Sequence, residues 1–447
     1  MLKFTETLGY AMPIDTLLSA RWIIPVEPDG LVLEHHTLAL AAGRIAAILP
    51  TAEARARYPN AAAEEFPLHA LIPGFVNAHT HAAMSLLRGV ADDRPLMEWL
   101  TEHIWPLEQR WVDEDFVRDG TDLALAEMIR GGITCFNDMY FFPEVTARQA
   151  ALCGMRAVVG LIVVDFPSAW ATGADEYLSK GLELHEALNG DPLISVAFAP
   201  HAPYSVSDEP LSRLRRLAAE LERPIHMHVH ETAGEIEESL QRHGVRPLER
   251  LGALNLPGPN FVAVHMTQLT EEDIDLIARG GASVVHCPES NLKLASGFCP
   301  VAKLVAAGVN VAIGTDGAAS NNDLDVMGEM RMAALLAKAV AEDASVVPAR
   351  TALRMATFNG ARALGLDSEI GSLELGKAAD ITAIRLDGIE TQPLYNPISD
   401  LVYAASRHQV TDVWVAGKRL LYKRELTTLD AVEICRRAQD WRQKLMP

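Results

Sequence analysis

Eight short apolar runs, separated by helix-compatible sequence, recur through the middle of this 447-residue chain. They are "LIPGFVNAH" (71–79), "GITCFNDM" (132–139), "RAVVGLIVV" (156–164), "LISVAFAPH" (193–201), "PIHMHVHE" (224–231), "FVAVHM" (261–266), "ASVVHCP" (282–288) and "NVAIGTD" (310–316). Each is apolar almost throughout instead of alternating, as a strand covered on both faces must be, and such strands belong to parallel sheets with helical crossovers. Between runs, "DEPLSRLRRLAAELER" (208–223) sets Leu211, Leu214, Leu217 and Leu221 at helical spacing. Eight strand-helix units over about 250 residues match the size of a (β/α)8 TIM barrel of the α/β class. A doubly wound open sheet is the alternative.

The two ends read differently. Residues 11–70 contain "TLLSARWIIPV" and "LVLEHHTLALAAGRIAAILP", and residues 371–423 contain "GSLELGKAADITAIRL" and "VTDVWVAGKRLLYK", strand-like pieces with Gly and Asp turns between them. Neither end is long enough to make a stable sheet alone, so one small β-sandwich domain assembled from both is expected. Residues 1–70 would form its first part, 71–370 the metal-dependent barrel, and 371–447 its second part with a C-terminal helix. "PARTALRMATFNGARALGL" (348–366) reads as the helix joining barrel to flank.

With 39 basic against 59 acidic residues the formal charge is −20, which repels phosphate backbones and anionic lipid surfaces. A nucleic-acid polymer is therefore a poor partner, whereas a single nucleoside is not excluded. No apolar stretch is long enough to span a bilayer, and "MLKFTETLGYAMPIDTLLSA" lacks the basic and apolar segments of a secretory leader, so the expected compartment is the cytoplasm. The five cysteines (Cys135, Cys153, Cys287, Cys299, Cys435) are scattered and include no C-x-x-C pair, which points to reduced, buried thiols.

In a barrel, reactive groups sit at the C-terminal ends of the strands. His79 and His81 end the first run, His201 the fourth, His228 and Glu231 the fifth and His265 the sixth; His286 lies late in the seventh, and Asp316 ends the eighth. Residues i and i+2 of a strand point the same way, so His79 and His81 can present two imidazoles to one centre. Imidazoles with a carboxylate suit Zn²⁺, and three or four such ligands with an open position make a hydrolytic site. Any one of these histidines taken singly is more simply a hydrogen-bonded core residue; it is their joint position that favours a metal. His103, His185, His226 and His230 lack a strand-end argument of equal force and keep the structural reading.

At this point the chain resembles the amidohydrolase superfamily, and within it the deaminases of 5′-methylthioadenosine and S-adenosylhomocysteine. The resemblance runs from "GRIAAI" to "GSLELGKAADI" and rests on "PGFVNAHTH", "WPLE" (105–108), "APHAPYSV" (199–206), "HMHVHET" (226–232), "VHMTQL" (264–269), "HCPESNLKL" (286–294) and "GTDGAASNN" (314–322). It implies His79, His81, His228 and Asp316 as ligands of one Zn²⁺ per subunit. It also implies Glu108 for the ribose hydroxyls, His201 for substrate, Glu231 and His265 for proton transfer, and Ser320 near the purine. Hydroxide from a metal-activated water would attack C6 of the adenine ring while Glu231 protonates the neighbouring ring nitrogen; His265 and Asp316 would handle the water's proton. The competing reading of Glu231 is a first-turn helix carboxylate ahead of "TAGEIEESL".

Binuclear members of the superfamily use a lysine in a middle strand, and "RAVVGLIVV" and "LISVAFAPH" contain none. The H-x-E plus P-C-x-x-C signature of cytidine-type deaminases is missing too. Relatives that take S-adenosylhomocysteine are expected to carry an arginine shortly after a "GMRAV" segment; here "GMRAVVGLIVVDFPSAW" (154–170) supplies Leu161 and apolar neighbours, with Arg156 deeper in the strand. An apolar wall suits a methylthio group, so 5′-methylthioadenosine is the favoured substrate and adenosine a secondary one, unless Arg88 or Arg94 from another loop serves instead. Rival readings are a guanine deaminase, a triazine-type amidohydrolase, or a non-enzymatic metal-binding barrel. Glu108 speaks against the first two, because a free base offers it no ribose, and Glu231 with His265 against the third. Homo-oligomer formation is left open.

Overall fold

The computed structural model describes residues 13–446. Most of the N-terminal stretch read for a leader lies outside them. Among the described residues no helix is long and apolar enough to cross a membrane.

The first four strands are β1 (Thr16–Ile23), β2 (Leu33–Ala41), β3 (Arg44–Pro50) and β4 (Ala62–Pro73). The next eight are β5 (Phe75–Thr80), β6 (Ile133–Asp138), β7 (Arg156–Val163), β8 (Ile194–Pro200), β9 (Ile225–Val229), β10 (Phe261–His265), β11 (Ser283–His286) and β12 (Asn310–Ile313). Each of these eight coincides with one of the apolar runs. They lie side by side in chain order, every neighbouring pair parallel, with helices between successive strands. Nearly every residue in them is buried, because barrel side chains fill the interior and helices cover the outside. Backbone and side chain together join the last strand to the first: the Asp316 amide donates to the His79 carbonyl (3.0 Å) and the Thr315 amide to Asn77 Oδ1 (3.0 Å).

The second sheet holds β1 to β4 together with β13 (Ile381–Arg385), β14 (Val410–Val415), β15 (Lys418–Tyr422) and β16 (Glu425–Leu426), in the order β16-β15-β14-β13-β4-β1-β2-β3. It is thus built from both ends of the chain, as expected. It curls until β3 meets the segment before β13, where the Ile45 amide donates to the Lys377 carbonyl (2.9 Å), and it encloses a core of Leu18, Leu38, Ile45, Leu71, Ile381 and Trp414.

Two details differ from the sequence reading. The run 71–79 is divided: β4 of the flanking sheet runs to Pro73, and the barrel starts at Phe75. Gly74 makes the crossing, and a Cβ there would sit 2.1 Å from the Thr134 side chain, so only glycine fits the junction. The segment 348–366 is two helices, Ala349–Met355 and Phe358–Ala363, broken at Ala356 and Thr357. At the barrel's other end Arg156, the first residue of β7, grips Asp380 of the flanking sheet through Nε (3.0 Å) and Nη2 (3.2 Å), a buried bidentate pair.

Between β5 and β6 the chain makes a long excursion. A 3₁₀ helix, Ala82–Leu87, is followed by a short helical turn at Leu96–Glu98, a π-helical stretch at Trp99–Ile104 and the helix Trp105–Trp111. Leu96, Trp99, Leu100 and Ile104 pack with Met84, Leu87, Phe116 and Tyr140 into a hydrophobic cluster of their own, which holds this segment over the C-terminal ends of the strands.

Candidate functional site

At the C-terminal ends of the strands lies a cavity of about 600 Å³. His81, Glu108, His201, His228, Glu231, His265, Asp316 and Ser320 all line it. His79, fully buried, stands directly behind them. Nine residues spread from position 79 to position 320 thus converge on one place.

The geometry is that of a metal centre. Asp316 Oδ1 lies 3.3 Å from His79 Nε2 and 3.3 Å from His81 Nε2, and His228 Nε2 is 3.2 Å from His79 Nε2. The other ring nitrogens are taken: His81 Nδ1 donates to the Met139 carbonyl, His228 Nδ1 donates to the His201 carbonyl (2.9 Å), and His79 Nδ1 is 2.9 Å from His226 Nε2. A neutral imidazole has one N–H, so spending it at Nδ1 leaves a lone pair at Nε2. Burial pushes His79 down to about 4 and His228 well below its ordinary range, which keeps both neutral. Lone pairs facing one another at this distance, beside a carboxylate, need a cation between them, so the donor set fits a divalent metal. Burial by itself disfavours the charge on the Asp316 carboxylate. Ser290 Oγ (2.6 Å) and Ser320 Oγ (2.8 Å) both donate to its Oδ2.

Around this centre the strand ends are strained. His230, His265, Met266 and Asp316 all have positive φ (53°, 73°, 51° and 60°), a conformation that non-glycine residues adopt only where the surroundings enforce it. These kinks turn Glu231, His265 and Asp316 toward one another. Glu231 Oε2 lies 3.8 Å from His265 Nε2, and His265 Nδ1 meets Asn291 Oδ1 at 2.9 Å, which leaves Nε2 free to face the cavity. Burial raises the Glu231 carboxyl above its ordinary value, against the pull of His265. Glu231 does not belong to the following helix, which spans Ala233–His243 and is capped by Thr232. Burial also pushes Glu108 up to about 7, and the phenol of Tyr140 donates to its Oε1 (2.7 Å). His201 is driven by burial down to about 3, with Nδ1 3.0 Å from Ser205 Oγ.

Away from the charged end the wall is apolar: Trp99, Trp105, Phe141, Ile162, Val164 and Phe166. Among the described residues lining the cavity there is no lysine or arginine. Arg88 is paired with Glu127 and the Asn322 carbonyl, and Arg94 with Glu98, so neither arginine offered by the sequence reaches the wall.

Residues 70–420 match the amidohydrolase family. The chain is 51% identical over 433 residues to the 5-methylthioadenosine/S-adenosylhomocysteine deaminase of Saccharophagus degradans, covering 97% of each chain. The chain belongs to the amidohydrolase family. Among solved structures, a zinc-bound adenosine deaminase from Xanthomonas campestris is 55% identical and superposes with a TM-score of 0.96 over 97% of this chain and 99% of that one. The zinc-complexed atrazine chlorohydrolase TrzN of Arthrobacter aurescens, 22% identical, shares the fold with a TM-score of 0.89, covering 95% of this chain and 99% of its own. The resemblance read from the motifs is therefore borne out for the family, whose fold also matches in barrel and flanking sheet.

Sequence reasoning missed several supporting residues of this family site. His226, read as structural, touches His79; its position two residues before His228 on one strand was the available signal, since period-2 spacing sends both rings to the same face. Ser290 and Asn291, which meet Asp316 and His265, carry no such pattern. Conversely, His286 ends its strand as expected but is fully buried and does not line the cavity.

Proposed function

We propose that the protein is a zinc-dependent hydrolytic deaminase that converts 5′-methylthioadenosine to 5′-methylthioinosine and ammonia, with adenosine as a secondary substrate and S-adenosylhomocysteine a poor one. The observation that carries the reading is the cavity itself: a donor set for one divalent metal with a buried acid and histidine at one end, and at the other an apolar wall with no lysine or arginine among the described residues. The zinc-bound relative and the named deaminases support the same chemistry. His79, His81, His228 and Asp316 would hold the ion. A divalent ion there supplies hydroxide near neutral pH by acidifying water.

The remaining steps belong to the protein's own groups. Glu231, whose carboxyl burial raises above its ordinary value, donates to the purine nitrogen beside the carbon under attack, so that the incoming electron pair is accommodated. His265 and Asp316 orient the attacking water and take up one of its protons, which is returned to the exocyclic amine as the carbon–nitrogen bond breaks and ammonia leaves, while the proton remaining on the new oxygen passes to Glu231 and restores the acid. Glu108 accepts hydrogen bonds from the ribose hydroxyls, His201 contacts the substrate, and Ser320 lies near the purine. The 5′ substituent then faces the wall of Trp99, Trp105, Phe141 and Phe166. A methylthio group gains there by burial. A homocysteine carboxylate gives up water without finding a charged partner, at a cost of about 1.5–3 kcal/mol, or roughly 10- to 100-fold in kcat/KM. The expected location is the cytoplasm, with a nucleoside as partner and no nucleic-acid polymer or membrane.

The test is a panel assay by ultraviolet absorbance on zinc-loaded protein. Turnover should be fastest with 5′-methylthioadenosine, slower with adenosine and slowest with S-adenosylhomocysteine. Turnover of guanine alone would overturn the deaminase reading, and equal turnover of the two thioethers would overturn the specificity.

A further inference from the structure

We infer that Glu235 and Thr267 form a clamp that positions Glu231 against His265. The inference rests on the deaminase reading, in which Glu231 is the proton donor. Every backbone polar group of His230 and Glu231 is held by these two residues and their immediate neighbour. Glu235 Oε1 accepts from the His230 amide (3.1 Å) and Oε2 from the Glu231 amide (2.7 Å). On the carbonyl side, the Thr267 hydroxyl donates to the Glu231 carbonyl (2.7 Å), and the Thr267 and Gln268 amides donate to the His230 carbonyl (3.0 and 3.2 Å). Both side chains are buried, at 7% exposure each.

Helix capping does not account for this. A Glu at the third helical position ordinarily reaches back to the amide of the capping residue. Here Thr232 caps the helix by accepting from the Glu235 amide, while the Glu235 carboxylate reaches past it to the two residues before. Those residues include His230, whose φ of 53° is a conformation that has to be imposed. Thr267, two residues beyond His265, adds the second half: one side chain ties the turn carrying the acid to the strand end carrying its histidine. Glu235 and Thr267 are thus positioning residues that fix the 3.8 Å separation of Glu231 and His265.

Threonine 267 gives the cleanest test, because Thr267→Val keeps the shape and removes only the hydroxyl, and Thr267→Ser restores it. In zinc-loaded protein, Thr267→Val should lower kcat for 5′-methylthioadenosine about 10- to 100-fold, as a misplacement of about 1 Å does, with KM changed less than about threefold. Zinc content should be unchanged, and Thr267→Ser should recover most of the loss. Glu235→Gln, which turns an amide N–H toward a backbone N–H, should act in the same direction. A crystal structure of Thr267→Val should show the Glu231 carboxyl displaced from His265. Wild-type kcat in both Thr267→Val and Glu235→Gln, a loss that Thr267→Ser fails to restore, or an unchanged Glu231 to His265 separation would each overturn the clamp. Should the wild-type protein turn over no adenine nucleoside, the deaminase reading falls, and the crystal structure alone decides the clamp.

Discussion

Replacing Glu231 by Gln separates the proposed proton donor from the metal centre. Among the described residues nothing donates a hydrogen bond to the Glu231 carboxyl, and His265 Nε2 lies 3.8 Å from its Oε2. The proposed ligands are His79, His81, His228 and Asp316, which are among the residues whose donor atoms cluster there, so the amide removes none of them. Burial already penalises the Glu231 charge, so folding stability should be unchanged or slightly improved. The loss therefore falls on catalysis. A positioned general acid contributes about 10²- to 10⁴-fold, which is about 3–5.5 kcal/mol of barrier. Zinc content by atomic emission and kcat by ultraviolet absorbance, measured on the same preparation, give the comparison. Full metal occupancy with kcat down by at least about 100-fold is expected. Loss of zinc with retained turnover, or kcat within about tenfold of wild type, would refute the role assigned to Glu231.

Two further outcomes follow from the same geometry. Because burial lifts the Glu108 carboxyl to about 7, it becomes protonated as pH falls through that value and loses acceptor capacity for the ribose hydroxyls; kcat/KM for 5′-methylthioadenosine should decline on the acid side, and Glu108→Gln should flatten that limb while costing about tenfold or more above it, as a pH series on both proteins would show. His226→Leu deprives His79 Nδ1 of its partner and should weaken zinc binding about 10- to 100-fold in a chelator competition, with little change in secondary structure by circular dichroism.

Much of the site could be read from the chain because barrel topology converts strand order into position. Each βα junction opens on the same rim, so His79, His81, His201, His228, Glu231, His265 and Asp316 needed only to be recognised as strand ends. Glu108 was a different case. It sits on the helix Trp105–Trp111 within the excursion after β5, and no periodicity of its own connects it to the rim; only the likeness of "WPLE" to relatives suggested a role. Arg88 and Arg94 show the converse failure. Their sequence positions near β5 left them available, but their pairing with Glu127 and Glu98 is a property of packing, invisible in the order of residues.

Burial on both faces leaves a continuous apolar run that is local along the chain, so the eight buried strands, the helices between them, the joining of the two ends into one sheet, and the rim on which the histidines and carboxylates would meet are legible in the order of residues. The partners came only with folding: that His226 backs His79, that Ser290 and Ser320 share Asp316, that Glu235 and Thr267 hold Glu231, and that among the described residues no lysine or arginine lines the cavity. Hydrogen bonds and charge pairs between residues dozens to hundreds of positions apart leave no local imprint, since each is satisfied by a neighbour that only folding supplies.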